Sequence, residues 1–470
     1  MEKEYTLERG YVTYPDACGD DPSAKAPYKA VPLGLVSKER YITKDEANLE
    51  WQRMWTKTWL WAGMTHDLKN VGDYFRYNLG PETFIVVRSG EDKVQAFYNV
   101  CPHRANHLVY EDYGHIKEGA SIYCKYHGWR FNLDGSIRTI KDIHTFPPEN
   151  LCGMNGLTEV RCEIWNSLVF INMDAHAEPL ETYLDVIPRH LANRDFSRLR
   201  VIEEMEGVID ANWKTAIEAF IEFYHADDTH PQIIPFSATL RTQYDLYDHG
   251  MSRMIIPLGY SGDRAQDPDE VSEALQGFIG LYGGNADDYK DIKGGDYRVA
   301  FADTLRKWAK RNGHSDLFDR MTDGELTDDW NYHLFPNVTL NVFSHSLLIQ
   351  SWTPHESDPE KHVYRALGLH LPLEDPEGFV VAPASFGVPA EKGWKGADRP
   401  AKVNPVNLAD WGTVLSQDME RVPLIHKGLR SRSFEGSRLS MSECRIAHYL
   451  AEIDHYIGDR ESGGGEPLPG

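Results

Sequence analysis

The stretch YCKYHGWRF, residues 123–131, sets Cys124 and His127 at C-x-x-H spacing in a turn stiffened by Gly128 and backed by Trp129. A lone pair at this spacing arises by chance, so its meaning depends on a second half. Upstream, NVCPHRANH (99–107) supplies Cys101 and His103, followed by Arg104, with residues 104–123 between the halves. The full pattern is C-x-H then C-x-x-H. Structural zinc sites usually take two cysteines from one turn and two histidines from another. Here each turn gives one of each. That mixed pairing suits a two-iron cluster straddled by two facing loops, both thiolates on one iron and both imidazoles on the other. Neutral imidazoles lower the negative charge at their iron and raise its reduction potential.

The C-P-H-R and C-x-x-H-G-W motifs resemble the Rieske [2Fe-2S] domain of the Rieske non-heme iron oxygenases. The resemblance implies that Cys101, His103, Cys124 and His127 hold a [2Fe-2S] cluster, with zinc as the alternative. The surroundings read as a small antiparallel domain. TFIVVRS (83–89), VQAFYNV (94–100) and SLVFINM (167–173) are β-branched and aromatic runs, GEDK joins the first two, and NLDGS (132–136) carries an Asp-Gly turn. His107 and His115 read as loop or surface histidines, and Cys18, Cys152, Cys162 and Cys444 as unliganded thiols.

A second concentration is NWKTAIEAFIEFYHADDTHPQ, residues 212–232. Ala216, Phe220 and Phe223 recur at helical spacing and Pro231 stops the helix, so a helix runs into a turn. Glu222 and His225 stand at i and i+3 on one face, and His230 comes from the frayed end or the turn. In NLADWGTVLSQDMERVPLIHKGL (407–429), Trp411, Leu415, Asp418 and Val422 form one helical stripe. A carboxylate on an apolar face needs a cation, a donor or a metal. From spacing alone Asp418 is either a salt-bridge partner or a ligand, whereas Glu420 lies off the stripe and is solvated.

Asn212-Trp213-Lys214 followed by Glu222-Phe223-Tyr224-His225 and His230 resembles the catalytic-domain signature of the same family. Gln417-Asp418 with GLRSRSFEGSRLS resembles its C-terminal segment. The resemblance implies that His225, His230 and Asp418 form a 2-His-1-carboxylate triad for a mononuclear Fe(II), with positions left for O2 and substrate. It also implies that Glu222 bridges electron transfer between His127 of one subunit and His225 of the next in a homotrimer. Many ring-hydroxylating members carry Asp at the bridging position and Asn shortly before. Here Glu222 and Ala219 stand instead, which is similar to the branch with quaternary-ammonium monooxygenases.

The 470 residues, 41% hydrophobic and 26% charged, are those of a folded globular protein. The net charge of -23 opposes general binding to nucleic acid or an anionic membrane. No apolar run approaches the ~18 residues of a membrane helix, the N-terminus lacks an apolar signal core, and six cysteines are too few for a disulfide scaffold. A cytoplasmic location is expected. The expected fold is α+β: an N-terminal extension (1–45), the antiparallel β Rieske domain (46–170), and a helix-grip catalytic domain (171–470) with an antiparallel sheet wrapped on a long helix. NVTLNVFSHSLLIQSW (337–352) and HVYRALGLHL (362–371) supply sheet. An insertion at about 261–330 carries the helices of VSEALQGFIGLY and YRVAFADTLRKWAKRNG, the latter capped by Gly313, as either a lid over the pocket or a peripheral addition.

The expected function is a terminal oxygenase that hydroxylates a hydrophobic, aromatic or polycyclic small molecule with O2. Its electrons come from an external ferredoxin or reductase, since no G-x-G-x-x-G lies between a strand and a helix. A small β subunit is either present or absent. The alternatives are a quaternary-ammonium (carnitine- or choline-like) monooxygenase and a Rieske electron carrier. The basic HKGLRSRSFEGSR stretch is read as a subunit contact, with docking of an acidic electron donor as the alternative.

Overall fold

The computed structural model describes residues 22–27, 29–237, 239–259, 273–285, 298–374 and 390–458. Cys18, with residues 1–21 and 28 of the N-terminal extension and residues 261–272 and 286–297 of the insertion, lies outside the described residues. Two compact units emerge, one of Trp55–Tyr183 with His355–Ser357 and one of Met1–Met54, Leu184–Pro354 and Asp358–Gly470.

The smaller unit is built on β-branched and aromatic runs that pair locally. Its seven strands are all antiparallel, in the order Leu60–Met64, Leu168–Asn172, Glu159–Trp165, Lys93–Tyr98, Glu82–Gly90, Asp73–Leu79 and Tyr113–His115. A three-stranded sheet of Ile122–Tyr123, Arg130–Phe131 and Ile137–Thr139 stands beside it. The Asp-Gly turn joins the last two of these. Gly135 has φ +81°, and a Cβ there would lie 2.4 Å from the Phe97 ring, so both backbone and space require glycine. Phe97, Ile85, Val87, Ile122, Phe131 and Trp129 form one buried cluster that also takes in Cys101 and Cys124.

The larger unit is a seven-stranded antiparallel sheet in the order Arg200–Ile209, His362–His370, Ser346–Pro354, Val338–Val342, Asp329–Leu334, Ser252–Ile256 and Gln243–Leu246. The 337–352 run divides into a hairpin. The Phe343 N–H donates to the Ser346 carbonyl, and the Ser344 hydroxyl to the Leu326 carbonyl, which closes the turn. Helices Trp213–Glu218, Thr413–Leu429 and Cys444–Ile457 belong to this unit. In the insertion, helices Glu273–Leu281 and Arg298–Arg311 form, and the second ends in a Schellman motif. Gly313 adopts φ +76° and the His314 N–H returns to the Ala309 carbonyl. Among the described residues no helix is long and apolar enough to cross a membrane.

Two helical readings need correction. Trp411 belongs to a separate 3-10 turn, Leu408–Trp411, because Gly412 at φ +82° breaks the register before Thr413–Leu429 begins, though Trp411, Leu415, Asp418 and Val422 are all buried. The helix of 212–230 is likewise interrupted, with Trp213–Glu218 and Ala226–Thr229 helical and 219–225 irregular. The backbone tightens to bonds three residues back at Ala219, Phe220 and Ile221, and beyond them the Glu222 carboxylate accepts the N–H groups of Tyr224 and His225 that a continuous helix would give to carbonyls four residues back.

The Asn212-Trp213-Lys214 signature has a structural meaning. The Asn212 side chain caps the Trp213–Glu218 helix by accepting the Lys214 N–H at 3.0 Å, and donates to the Pro359 carbonyl at 2.8 Å. The Trp213 indole donates to Glu50 at 3.0 Å and the Lys214 ammonium pairs with the same carboxylate, both charged groups being almost fully buried. Replacing Glu50 by alanine leaves a buried ammonium uncompensated. The expected loss is about 3–5 kcal/mol of stability, measured by urea unfolding followed through tryptophan fluorescence.

Candidate functional site

In the smaller unit each half of the first motif is a tight turn closed on its own backbone. The Cys101 carbonyl accepts from Ala105 N–H at 2.9 Å, with Ala105 at φ +57°. The Cys124 carbonyl accepts from Gly128 N–H at 3.0 Å, and the Trp129 carbonyl takes the Cys124 N–H. Gly128 at φ +80° allows that turn without strain. Both thiols are buried, while the imidazoles of His103 and His127 are partly exposed with ring centroids 4.6 Å apart. His103 is fixed by stacking on Trp129, at 4.9 Å and 5° between planes.

This donor set fits a cluster. Burial pushes the Cys101 thiol up to about 11, helped by the adjacent Cys124 and opposed by the His103 N–H, so a thiolate there needs a cation to stabilise it. His103 is shifted down by burial and then by His127 and Arg104, which favours the neutral ring a metal requires. Nδ1 of His127 is buried and has no hydrogen-bond partner among the described residues. Beyond these four, His107 is exposed and His115 pairs with Asp73 at 2.8 Å. Cys152 is exposed, Cys444 is buried, and burial raises Cys162 to about 12.

In the larger unit, Nε2 of His225 and Nε2 of His230 stand 3.2 Å apart. Asp418 Oδ1 is 3.1 Å from the latter and 3.7 Å from the former, and the three ligand atoms form a group able to hold a metal ion. His225 sits at the N-cap of Ala226–Thr229 and His230 at its C-cap, so one short turn sets both rings. Each Nδ1 has its own acceptor: Glu222 for His225, and Gln417 Oε1 at 2.8 Å for His230. Gln417 is held in turn by the Gln232 amide at 2.7 Å. With Nδ1–H donating, both Nε2 lone pairs point at one another and at a carboxylate, an arrangement a cation relieves. The His225 imidazolium is disfavoured by burial, yet the hydrogen bond and charge of Glu222 and the charge of Asp418 raise its pKa overall.

The triad residues line a cavity whose floor is one face of the sheet. Met254, Ile256, Asp329, Asn331, Asn341, Ser346, Leu348 and Gln350 alternate inward from four strands. Phe220 and Phe223 come from the irregular 219–225 segment, Phe278 and Tyr282 from the inserted region, and Phe343 from the hairpin. Burial pushes the Asp329 carboxyl up to about 7; the Asn341 hydrogen bond lowers it, Asp328 raises it further, and Arg445 opposes both raising effects.

Sequence reasoning singled out Glu222, His225, His230 and Asp418, which the structure brings to one cavity, and Cys101, His103, Cys124 and His127, which it places on two turns; it did not single out Gln417, which accepts from His230, or Asp329, which lines that cavity. Gln417 was legible only as a motif neighbour of Asp418. Asp329 had one faint signal, an acid alternating with apolar residues in the DWNYHL strand.

The profile of the ring hydroxylating alpha subunit (catalytic domain) family matches residues 196–459, and that of the Rieske [2Fe-2S] domain residues 58–149. The chain belongs to the ring hydroxylating alpha subunit family, whose cofactors are a Rieske [2Fe-2S] cluster and a mononuclear iron. It is 30% identical over 217 residues to the carnitine monooxygenase oxygenase subunit of Escherichia coli K12, covering 45% of this chain and 54% of that one. It is also 30% identical over 202 residues to the benzene 1,2-dioxygenase subunit alpha of Pseudomonas putida, covering 42% and 44%. The matched stretch thus spans about half the length of these curated relatives. The fold is that of a solved quaternary ammonium Rieske monooxygenase, at TM-score 0.63 and 19% identity over 90% of this chain and 95% of that one.

Gln417 yields a direct test. Replacing it by leucine removes the acceptor for His230 Nδ1–H, and Fe(II) affinity at the triad is expected to fall about 10–100-fold. Equilibrium dialysis with elemental analysis reads this, with acid-labile sulfide unchanged.

Proposed function

We propose that this chain is the terminal oxygenase component of a Rieske oxygenase system. It takes electrons from a separate ferredoxin or reductase and uses O2 to hydroxylate a hydrophobic, aromatic or polycyclic, small molecule. One observation carries the reading: the convergence of His225, His230 and Asp418 on the wall of a cavity lined by Phe220, Phe223, Ile256, Phe278 and Leu348. An apolar pocket with a few convergent polar groups is the usual form of a small-molecule site. Cys101 and Cys124 would hold one iron of the cluster and His103 and His127 the other; His225, His230 and Asp418 would hold the mononuclear Fe(II). When bound, the cluster supplies one-electron redox chemistry and the mononuclear iron supplies O2 activation.

The chain's own residues do the positioning. Glu222 and Gln417 accept the two Nδ1 protons and keep each Nε2 available. The phenyl rings bind substrate and exclude water. Glu222, His225 and Asp418 also line a second cleft with Tyr41, Arg421, Ile425 and Arg438. That supports Glu222 as a relay toward His127 of a partner subunit in a homotrimer. The profile matches support the division into an extension (1–45), a Rieske domain (46–170) and a catalytic domain (171–470). Composition supports a cytoplasmic setting.

A second reading, a quaternary-ammonium monooxygenase, is favoured by Glu222 and by the similarity to a carnitine monooxygenase oxygenase subunit. The aromatic rings and buried carboxylate of the cavity suit a cation.

Anaerobically purified protein is expected to hold about three irons and two acid-labile sulfides per chain. Changing His225, His230 or Asp418 to alanine should remove about one iron and abolish substrate-stimulated O2 uptake, with the cluster's visible spectrum intact. Wild-type protein with about two irons that added Fe(II) cannot raise would instead be an electron carrier. Glu222→Gln is expected to retain both metal sites and lose coupled turnover. Unchanged substrate-dependent oxidation in that variant would remove the relay role.

A further inference from the structure

One acid in the cavity is only half satisfied. Asp329 is 9% exposed, and its Oδ2 accepts from the Asn341 amide at 2.8 Å. Its Oδ1 is buried and has no hydrogen-bond partner among the described residues. The Ser346 hydroxyl, 2% exposed, is equally without one. Val342 pairs with both Trp330 and Leu347, so Asp329 and Ser346 each stand one residue beyond those pairs, at the same end of three adjacent strands. Both side chains line the cavity that holds the triad.

A buried carboxylate oxygen without a donor is costly and persists where something else supplies the donor. Among the described residues no lysine or arginine lines the cavity. Arg445, fully buried nearby, spends its guanidinium on Ser252 and Asn331. Among the described residues no metal-ligand group includes Asp329. The missing partner therefore has the chemistry of a hydrogen-bond donor. Phe278, Tyr282 and Phe343, which line the same cavity, offer ring faces that favour positive charge.

We infer that Asp329 is a specificity-determining substrate anchor, whose Oδ1 receives an N–H of a protonated amine carried by an otherwise hydrophobic substrate, with Ser346 beside it. This rests on reading the cavity as the substrate site of an oxygenase. A quaternary ammonium brings charge without an N–H and leaves Oδ1 unpaired; a hydrocarbon brings neither.

The test is anaerobic calorimetry on the iron-loaded full chain with three matched probes: 2-phenylethylamine, its N,N,N-trimethyl derivative and propylbenzene. The amine is expected to bind about tenfold or more tightly than either of the others. Asp329→Asn is expected to erase that preference while keeping iron content and propylbenzene affinity. Equal binding of amine and propylbenzene by wild type, tighter binding of the trimethyl compound, or a preference that survives in D329N would overturn the assignment. If D329N does not fold, the three-probe comparison on wild type decides alone. Iron content and O2 uptake by dithionite-reduced protein are recorded on the same samples. A missing mononuclear iron defeats the oxygenase reading, whereas the probe series addresses Asp329 separately.

Discussion

Two imidazole nitrogens 3.2 Å apart, each with its other nitrogen committed to an acceptor, present lone pair to lone pair beside a carboxylate. A divalent cation relieves that concentration of negative potential. Much of the larger unit can be understood as the means of holding it. Glu222, past the end of a helix, takes the His225 proton, and the short Ala226–Thr229 turn carries the two rings. The Thr413–Leu429 helix brings Gln417 and Asp418 as neighbours, one accepting from His230 Nδ1 and the other facing both Nε2 atoms. The Lys214–Glu50 pair and the Asn212 cap fix the helix that leads into this segment.

The smaller unit solves a different problem, because it presents Cys101, His103, Cys124 and His127 from two loops without a helix to stiffen them. Each loop folds back on its own cysteine carbonyl, and the positive φ of Ala105 and Gly128 makes the reversals tight. Burial of the two thiols in the same apolar cluster as Trp129 and Phe97 raises the cost of leaving them without a metal. The rings of His103 and His127 stay nearer solvent. That asymmetry, sulfur inside and imidazole outside, suits electron transfer through the histidine edge.

Around the triad, the sheet supplies the floor of the cavity. Its inward face is apolar at Met254, Ile256 and Leu348 and polar at Asp329, Asn331, Asn341 and Gln350. Some of those polar atoms are satisfied by one another, Gln350 donating to Asn341 and Asn341 to Asp329, while Asn331 accepts from Arg445 and Gln350 from Tyr364. The network stops at Asp329 Oδ1, and a network that ends on an unpaired acceptor is where an external donor gains most.

The sequence alone determined what is local. C-x-H and C-x-x-H spacings dictate two turns, alternation and Asp-Gly dictate hairpins, and an acid on an apolar helical stripe marks a buried carboxylate. Those readings rest on backbone geometry within a few residues, so they were available without a fold. Resemblance to a family, not spacing, made Asp418 a ligand. Tertiary structure decided the rest. It ended the 212–230 helix at Glu218, set Gln417 against His230, and gave Asp329 a half-filled hydrogen-bond shell beside Asn341. These depend on which side chains meet across strands and helices far apart in the chain, and neither propensity nor periodicity encodes such meetings, because both describe a residue's relation to its own segment.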